Sequence, residues 1–234
     1  MLTTSFLNDL NFLKRKLEDK EPFSITRFGD GEMMIMNGTH LNLLHKGEFN
    51  FTGQEDIRLD LYKSFTHNQE NYFVGVACKC CVGDPNYQAM KKATGLPEER
   101  LTWANIFVNS NFIPFRSEVV STFSQYKIIL VSPGDPAGLP FKVDTHISIG
   151  ADAWTKNADV YDKLVEKLSQ NKDEHYLVLL CAGPFANILC YKLFKEFPTN
   201  TIIDTGSVFN IELGLGPNRG YLQGGQDLYK TCIW

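Results

Sequence analysis

Residues 27–32, with the sequence Arg-Phe-Gly-Asp-Gly-Glu, carry two carboxylates separated by one residue and flanked by glycines. At this spacing Asp30 and Glu32 can direct their carboxylates to one side. One or two carboxylates are what a hard divalent cation such as Mg²⁺ or Mn²⁺ takes from a protein. The guanidinium of Arg27 can pair with a carboxylate or contact a phosphate. The alternative is a turn in which Asp30 caps the next helix and Glu32 is solvated, and spacing alone favours it because Gly-Asp-Gly turns are common.

A second candidate lies at Gly183 and Pro184, directly after a strongly apolar segment. Proline at the first position of a helix loses no hydrogen bond, so the amides of that first turn are available to a phosphate or sugar oxygen. The segment is neither a Walker loop nor a dinucleotide fingerprint, because it has no spaced glycines and no following Lys-Ser/Thr. A capped helix start with no ligand is the favoured alternative.

Three further polar residues fall at predicted strand or helix ends. Asn105 lies in an apolar run, where a buried amide needs a hydrogen-bond partner in the core or in a ligand. Asp152 precedes Trp154, whose ring can stack on a base or sugar or pack in the core. Asp204 ends a weaker strand pattern. The histidines form no metal-binding pair and no Gly-x-Ser-x-Gly elbow occurs, which disfavours a histidine metal site and a hydrolase triad.

Strand patterns alternate with helical patterns along the chain, which predicts an α/β fold with a mostly parallel sheet and helices on both faces. In such sheets ligands bind beyond the carboxyl ends of the strands, where the candidate residues fall. The predicted strands are 23–28, 72–77, 101–108, 127–132, 176–182 and 201–204. The predicted helices are 6–17, 33–36, 55–65, 86–94, 117–124, 157–169 and 184–197. Residues 37–54 and 132–151 are long enough to be active-site loops, and with no linker or repeat we expect one domain over residues 1–234.

The composition excludes several classes of protein. The chain has 234 residues with 23 basic and 27 acidic side chains, a net charge of -4, which argues against a basic groove for nucleic acid or anionic lipid. No segment approaches the ~20 apolar residues of a membrane span, and the N-terminus does not resemble a secretory signal. Six cysteines, with Cys80 and Cys81 adjacent, are a poor disulfide framework, so we expect reduced thiols in the cytoplasm. Cys78, Cys80 and Cys81 suggest zinc, but without a second ligand pair free thiols are favoured.

Residues 24–32, Ser-Ile-Thr-Arg-Phe-Gly-Asp-Gly-Glu, resemble the Ser-x-x-Arg-[Phe/Tyr]-Gly-Asp-Gly-Glu signature of GT-D type glycosyltransferases. Segments around Asn105, Asp152, residues 180–189 and residues 203–207 resemble the same family in the same order. This resemblance implies a Rossmann-like fold and a nucleoside-diphosphate sugar donor, expected to be UDP-linked. It also implies Mn²⁺ or Mg²⁺ held by Asp30 and Glu32, and an acceptor hydroxyl on a glycan or glycoconjugate.

The resemblance and the chemistry of the residues together give a set of expected roles. An inverting transfer needs a base for the acceptor hydroxyl, and the carboxylates of Glu32, Asp152 and Asp204 are the contenders. We expect the cofactor or donor to be contacted by Arg27, Phe28, Gly29, Gly31, Asn105, Gly183, Pro184 and Asn187. The competing hypotheses are a metal-dependent phosphohydrolase or nucleotidyl enzyme, and a non-catalytic domain that binds a nucleotide sugar.

Overall fold

The computed structural model describes residues 6–171 and 173–224, and its centre is a seven-stranded sheet in the order β5-β4-β1-β9-β8-β6-β7. Each of its strand pairs is parallel, which confirms the predicted Rossmann-like α/β class. A separate antiparallel pair joins β2 to β3. The strands are β1 (Ser24–Phe28), β2 (Leu41–Asn42), β3 (Asn50–Phe51), β4 (Tyr72–Val76), β5 (Leu101–Trp103), β6 (Lys127–Ser132), β7 (Thr145–Ser148), β8 (Tyr176–Leu180) and β9 (Thr201–Asp204).

Helices cover both faces of this sheet. Successive side chains of a strand point to opposite faces. The Tyr72 hydroxyl lies 2.8 Å from that of Ser64 in α3, while the neighbouring Phe73 ring packs edge-on against Phe12 of α1 at 5.8 Å. Therefore α1 and α3 lie on opposite faces. The helices are α1 (Phe6–Glu18), α2 (Asp30–Met36), α3 (Glu55–Phe65), α4 (Lys79–Val82), α5 (Asp84–Thr94), α6 (Phe112–Pro114), α7 (Ala153–Lys156), α8 (Val160–Ser169) and α9 (Pro184–Glu196).

The central strands are buried on both faces, as their apolar composition requires. Every residue of β8 is buried, and so is every residue of β4 and β9. Their side chains belong to one continuous apolar core that also takes in the inner faces of α1, α3 and α9. The C-terminal ends of these strands are consequently held in one rigid edge.

The predicted strand 101–108 is wrong beyond Trp103. The amide of Ala104 still donates to the backbone oxygen of Val76, but the chain then turns, with the amide of Ile106 donating to the oxygen of Trp103. The apolar residues after Trp103 are therefore buried by tight turns at the edge of the sheet, and Asn105 lies in the first of these turns.

Other differences also have local causes. Strand β7 lies inside a stretch predicted as a loop, because it is an edge strand whose polar side chains are only partly buried. Predicted helix 117–124 is a π turn followed by a 3₁₀ turn. Predicted helix 157–169 is α8, which begins at Val160, and a separate short helix, α7, precedes it. The predicted domain includes both chain ends, and these, with Cys232, lie outside the described residues. Within the described ranges no helix has the length and apolar character that a membrane span requires.

Candidate active site

A cleft with two connected lobes opens at the C-terminal edge of the sheet. The carboxylate lobe is lined by Arg27, Gly29, Glu32, Ala104, Asn105 and Asp204, which follow or end β1, β5 and β9. The apolar lobe is lined by Lys46, Phe49, Ile149, Asp152, Ala153 and Cys181. Both lobes share Gly183, Gly206, Ser207 and Arg219. The two stretches predicted to be active-site loops therefore both line the apolar lobe.

Arg27 ties together the ends of three strands at the floor of the carboxylate lobe. Its Nε donates to the backbone oxygen of Asp204 at 2.9 Å, and its Nη1 donates to the backbone oxygen of Ala104 at 3.2 Å. Its Nη2 lies 3.4 Å from the Asp204 carboxylate, and the two side chains are only 11% and 5% exposed. These three bonds occupy three of the five N–H groups of the guanidinium, and among residues 6–171 and 173–224 the other two remain for an oxygen in the lobe.

Burial raises the pKa of both carboxyls in this lobe. The pKa of Glu32 rises from 4.5 to about 7, mainly because its side chain is desolvated. Hydrogen bonds from backbone amides and the charge of Arg27 oppose that rise, while the charge of Asp204 adds to it. Burial also raises the pKa of Asp204, against the effect of its ion pair with Arg27. A carboxyl with a pKa near neutrality, facing a cleft, is suited to transferring protons.

The start of α2 at Asp30 separates the two carboxylates of the proposed metal motif. Side chains two residues apart on a helix point about 200° away from each other. Accordingly the Asp30 carboxylate is exposed and accepts a hydrogen bond from the amide of Gly31 at 3.0 Å. The Glu32 carboxylate turns back, accepts a hydrogen bond from the amide of Gly29 at 2.9 Å and lines the cleft. The pair therefore does not fit a shared ion in this structure.

The other predicted contacts divide into two groups. Gly29, Asn105 and Gly183 line the cleft, whereas Gly31 does not. Phe28, Pro184 and Asn187 are buried beneath it. The Phe28 ring packs at 4.7 Å from that of Phe65, and the amide of Asn187 donates to the backbone oxygen of Arg27 at 2.8 Å. Phe28 and Asn187 thus support the residues of the cleft from below.

Asp152 serves mainly to hold the wall of the apolar lobe. Its Oδ1 accepts hydrogen bonds from the indole of Trp154 at 2.7 Å and from the amide of Asn50 at 3.1 Å. Its own amide donates to the backbone oxygen of Glu48 at 2.7 Å. These bonds fasten the loop before β3 to the start of α7, so the carboxylate is already committed to two donors.

Sequence reasoning missed several residues of the cleft. Arg219 lines both lobes and pairs with Glu48 at 2.8 Å, and Tyr221 shares a 2.8 Å hydrogen bond with Ser207. The segment after β9 carries no helical or strand periodicity that would have marked them. The sequence also gives no sign that Gly206 is close to Arg27, yet its backbone, at a φ of +54°, lies against the guanidinium.

The comparisons with known proteins support the fold. No family model and no curated protein matches the sequence. A solved structure with a similar fold is described as "the highly conserved domain of unknown function 1792", which "has a distinct glycosyltransferase fold". The two chains are 15% identical, and the match covers 89% of this chain and 80% of the other with a TM-score of 0.54. The chain therefore has a glycosyltransferase-like fold.

Gly206→Ala should displace Arg27. The added Cβ would lie 1.9 Å from Nη2, and the guanidinium cannot move without losing bonds to Asp204 and Ala104. We expect the free energy of unfolding in urea to fall by roughly 1–3 kcal/mol more than in Gly214→Ala. Gly214 has a φ of +73° and open space around its Cα, so that control carries the backbone strain alone. Equal losses in the two variants would contradict the tight contact.

Glu32 should make the protein less stable as the pH rises. A carboxyl whose pKa is raised from 4.5 to about 7 stabilises the fold fully below the lower value, and this contribution is lost as pH rises through the higher one. Glu32→Gln removes the titration. We expect the unfolding free energy of the wild type relative to Glu32→Gln to fall by on the order of 1–3 kcal/mol between about pH 5 and about pH 8. A pH-independent difference would contradict the burial of this carboxyl.

Proposed function

We propose that this protein is a glycosyltransferase that moves a sugar from a nucleoside-diphosphate sugar, UDP-linked by the resemblance, to a hydroxyl of a glycan or glycoconjugate. The observation that carries the proposal is the cleft itself. A guanidinium with unused donors, a carboxyl with a pKa of about 7 and an apolar lobe meet at the C-terminal edge of a glycosyltransferase-like sheet.

The diphosphate of the donor fits beside Arg27. The leaving group of the transfer is a nucleoside diphosphate, and its developing negative charge needs fixed donors. The two remaining N–H groups of Arg27 can bind a phosphate oxygen without any rearrangement, because its other three hold the side chain in place. Gly183 lies at the junction of the lobes with a φ of +54°, where the missing side chain lets the ligand approach the backbone.

The nucleoside fits the apolar lobe. Phe49, Ile149 and Ala153 supply apolar walls for the faces of a base, and Asn210 adds a polar group for its edge or for the ribose. Ligand sites of this kind are usually apolar with a few placed polar groups. A donor in this orientation has its sugar in the carboxylate lobe, next to Glu32.

Glu32 is the carboxylate we assign as the base. In an inverting transfer the acceptor oxygen bonds to the anomeric carbon, the bond from that carbon to the diphosphate oxygen breaks, and the acceptor proton passes to Glu32. A pKa of about 7 allows this carboxyl to take and release a proton near neutral pH. Asp204 is held by Arg27 and by the amide of Gly206, and Asp152 is held by Trp154, so both are already engaged.

Metal dependence enters the proposal through the resemblance alone. A bound Mn²⁺ or Mg²⁺ would offset charge on the diphosphate. Since Asp30 and Glu32 do not converge, no step above depends on the ion.

Two alternatives to glycosyl transfer remain. In a phosphohydrolase or nucleotidyl enzyme Glu32 would take the proton from an attacking water, and a binding domain would show no turnover. The cytoplasmic location also stays a prediction, although the five cysteines in the described residues form no disulfide.

Donor binding can be measured by thermal shift, since a ligand that binds the folded state raises the melting temperature. We expect UDP with Mn²⁺ to raise it, UDP alone to raise it less, and Arg27→Lys to reduce both shifts because the forked donors are lost. Arg58→Lys, an exposed change on α3, is the matched control. If no nucleotide or nucleotide sugar raises the melting temperature of the protein, the donor assignment is wrong. If UDP raises the melting temperature equally with and without Mn²⁺, and does the same in Asp30→Ala, then the proposed metal dependence is wrong but the donor assignment stands.

Turnover should depend on Glu32 far more than binding does. Glu32→Gln keeps the hydrogen bond from Gly29 but cannot accept a proton, so we expect kcat to fall by at least about 100-fold while the nucleotide shift is retained. Glu166→Gln, the same change at an exposed position of α8, is the matched control for the base role. Sugar released to water without an acceptor would favour hydrolysis, and binding without turnover across an acceptor panel would favour a binding domain.

A further inference from the structure

Three cysteine thiols converge at the end of β4. The sulfur atoms of Cys78, Cys80 and Cys81 all lie within 4.8 Å of one another, and those of Cys78 and Cys80 are 3.0 Å apart. Within residues 6–171 and 173–224 this is the one group of three histidine, cysteine or acidic side chains close enough to share an ion. Cys78 is buried and the other two are exposed.

The local backbone explains this convergence, which sequence spacing alone did not reveal. The chain leaves β4 and immediately forms a helical turn, in which the amide of Cys81 donates to the backbone oxygen of Cys78. Residues three apart on such a turn lie on one face. The rotamers of Cys78 and Cys80 then bring the remaining sulfur within reach. A second ligand pair at finger spacing is therefore not needed to gather three sulfur ligands.

The dimensions of the cluster suit a thiophilic metal ion. Zn²⁺ binds thiolate sulfur at about 2.3 Å with tetrahedral geometry, which places neighbouring sulfurs about 3.8 Å apart. The closest pair would open by less than about an ångström to reach that spacing. Three protein ligands leave a fourth position, and the exposure of Cys80 and Cys81 opens it to solvent.

Asn105 connects the cluster to the cleft. Its side-chain amide donates to the sulfur of Cys78 at 3.2 Å and to that of Cys81 at 3.3 Å, while the residue lines the carboxylate lobe. Hydrogen bonds to metal ligands orient them and tune their affinity. The ammonium of Lys79, on the same turn, is paired with Asp84 at 3.4 Å.

We propose that Cys78, Cys80 and Cys81 bind one Zn²⁺-class ion through three thiolates, beside the cleft. Each thiol loses its proton to the solvent as its bond to the metal forms, so the oxidation states of sulfur and metal do not change. Occupancy fixes the sulfurs of Cys78 and Cys81, to which Asn105 donates, and thereby the position of that amide in the carboxylate lobe.

Metal titration of the full chain tests this site. The fully reduced protein is stripped with a chelator and titrated with Cd²⁺, whose thiolate charge-transfer absorption reports sulfur ligation. Zn²⁺ competition with a chromophoric chelator gives the affinity. We expect one equivalent to bind, and affinity to fall at least about tenfold in Cys80→Ser, in Cys81→Ser and in Asn105→Ala. Cys190→Ala, a buried thiol elsewhere, should bind as the wild type does.

Several results would overturn the proposal. These are the absence of a thiolate band in the reduced wild type, an affinity that neither Cys80→Ser nor Cys81→Ser lowers, or an equal loss of affinity in Cys190→Ala. Melting curves and far-ultraviolet circular dichroism establish that each variant is folded, and both substituted sulfurs are exposed. Because the readout is metal binding, failure here leaves the proposed transfer reaction untouched, and failure of that reaction leaves this site intact.

Discussion

The interaction of Arg27 with Asp204 is the constraint on which the functional edge of this sheet depends. Arg27 belongs to β1, and its guanidinium reaches the end of β9 and the turn after β5. A buried charge left without its partner costs about 3–5 kcal/mol, so neither side chain can leave the other without a large penalty. Two of the acceptors are backbone oxygens, which fixes the guanidinium to the strands themselves. The floor of the cleft is therefore as rigid as the sheet.

The same pair adjusts the acidity of Glu32. The charge of Asp204 raises the pKa of Glu32 and the charge of Arg27 lowers it, while desolvation contributes the largest effect. Glu32 also caps its own helix by accepting from the amide of Gly29. A helix cap, a buried ion pair and a proton acceptor are thus coupled in one lobe. A change that displaces Arg27 would alter structure and acidity together, which is why the test of the base preserves Arg27.

The sequence predicted what periodicity and sheet topology determine. Helix α3 and strands β6 and β9 have their predicted bounds, and Arg27, Asn105 and Asp204 meet in one cleft because parallel strands end at one edge. Properties that depend on contacts between distant segments were not predictable. The need for glycine at Gly206 arises only because Arg27 packs against it. Asn187 was predicted to contact the ligand, yet its side-chain amide donates to a backbone oxygen of β1.

The position at which α2 begins determines where the two carboxylates of the Asp-x-Glu motif point. Because α2 begins at Asp30, the motif sends one carboxylate to solvent, and the two carboxyls of the carboxylate lobe, Glu32 and Asp204, come from different segments. Arg27 neutralises Asp204, and Glu32 is partly protonated near neutral pH. The carboxylate lobe therefore has little net negative charge of its own with which to attract a cation. A divalent ion commonly takes one or two protein carboxylates and completes its shell with phosphate oxygens. In the proposed transfer reaction, a divalent ion would therefore bind this cleft together with the donor diphosphate rather than before it.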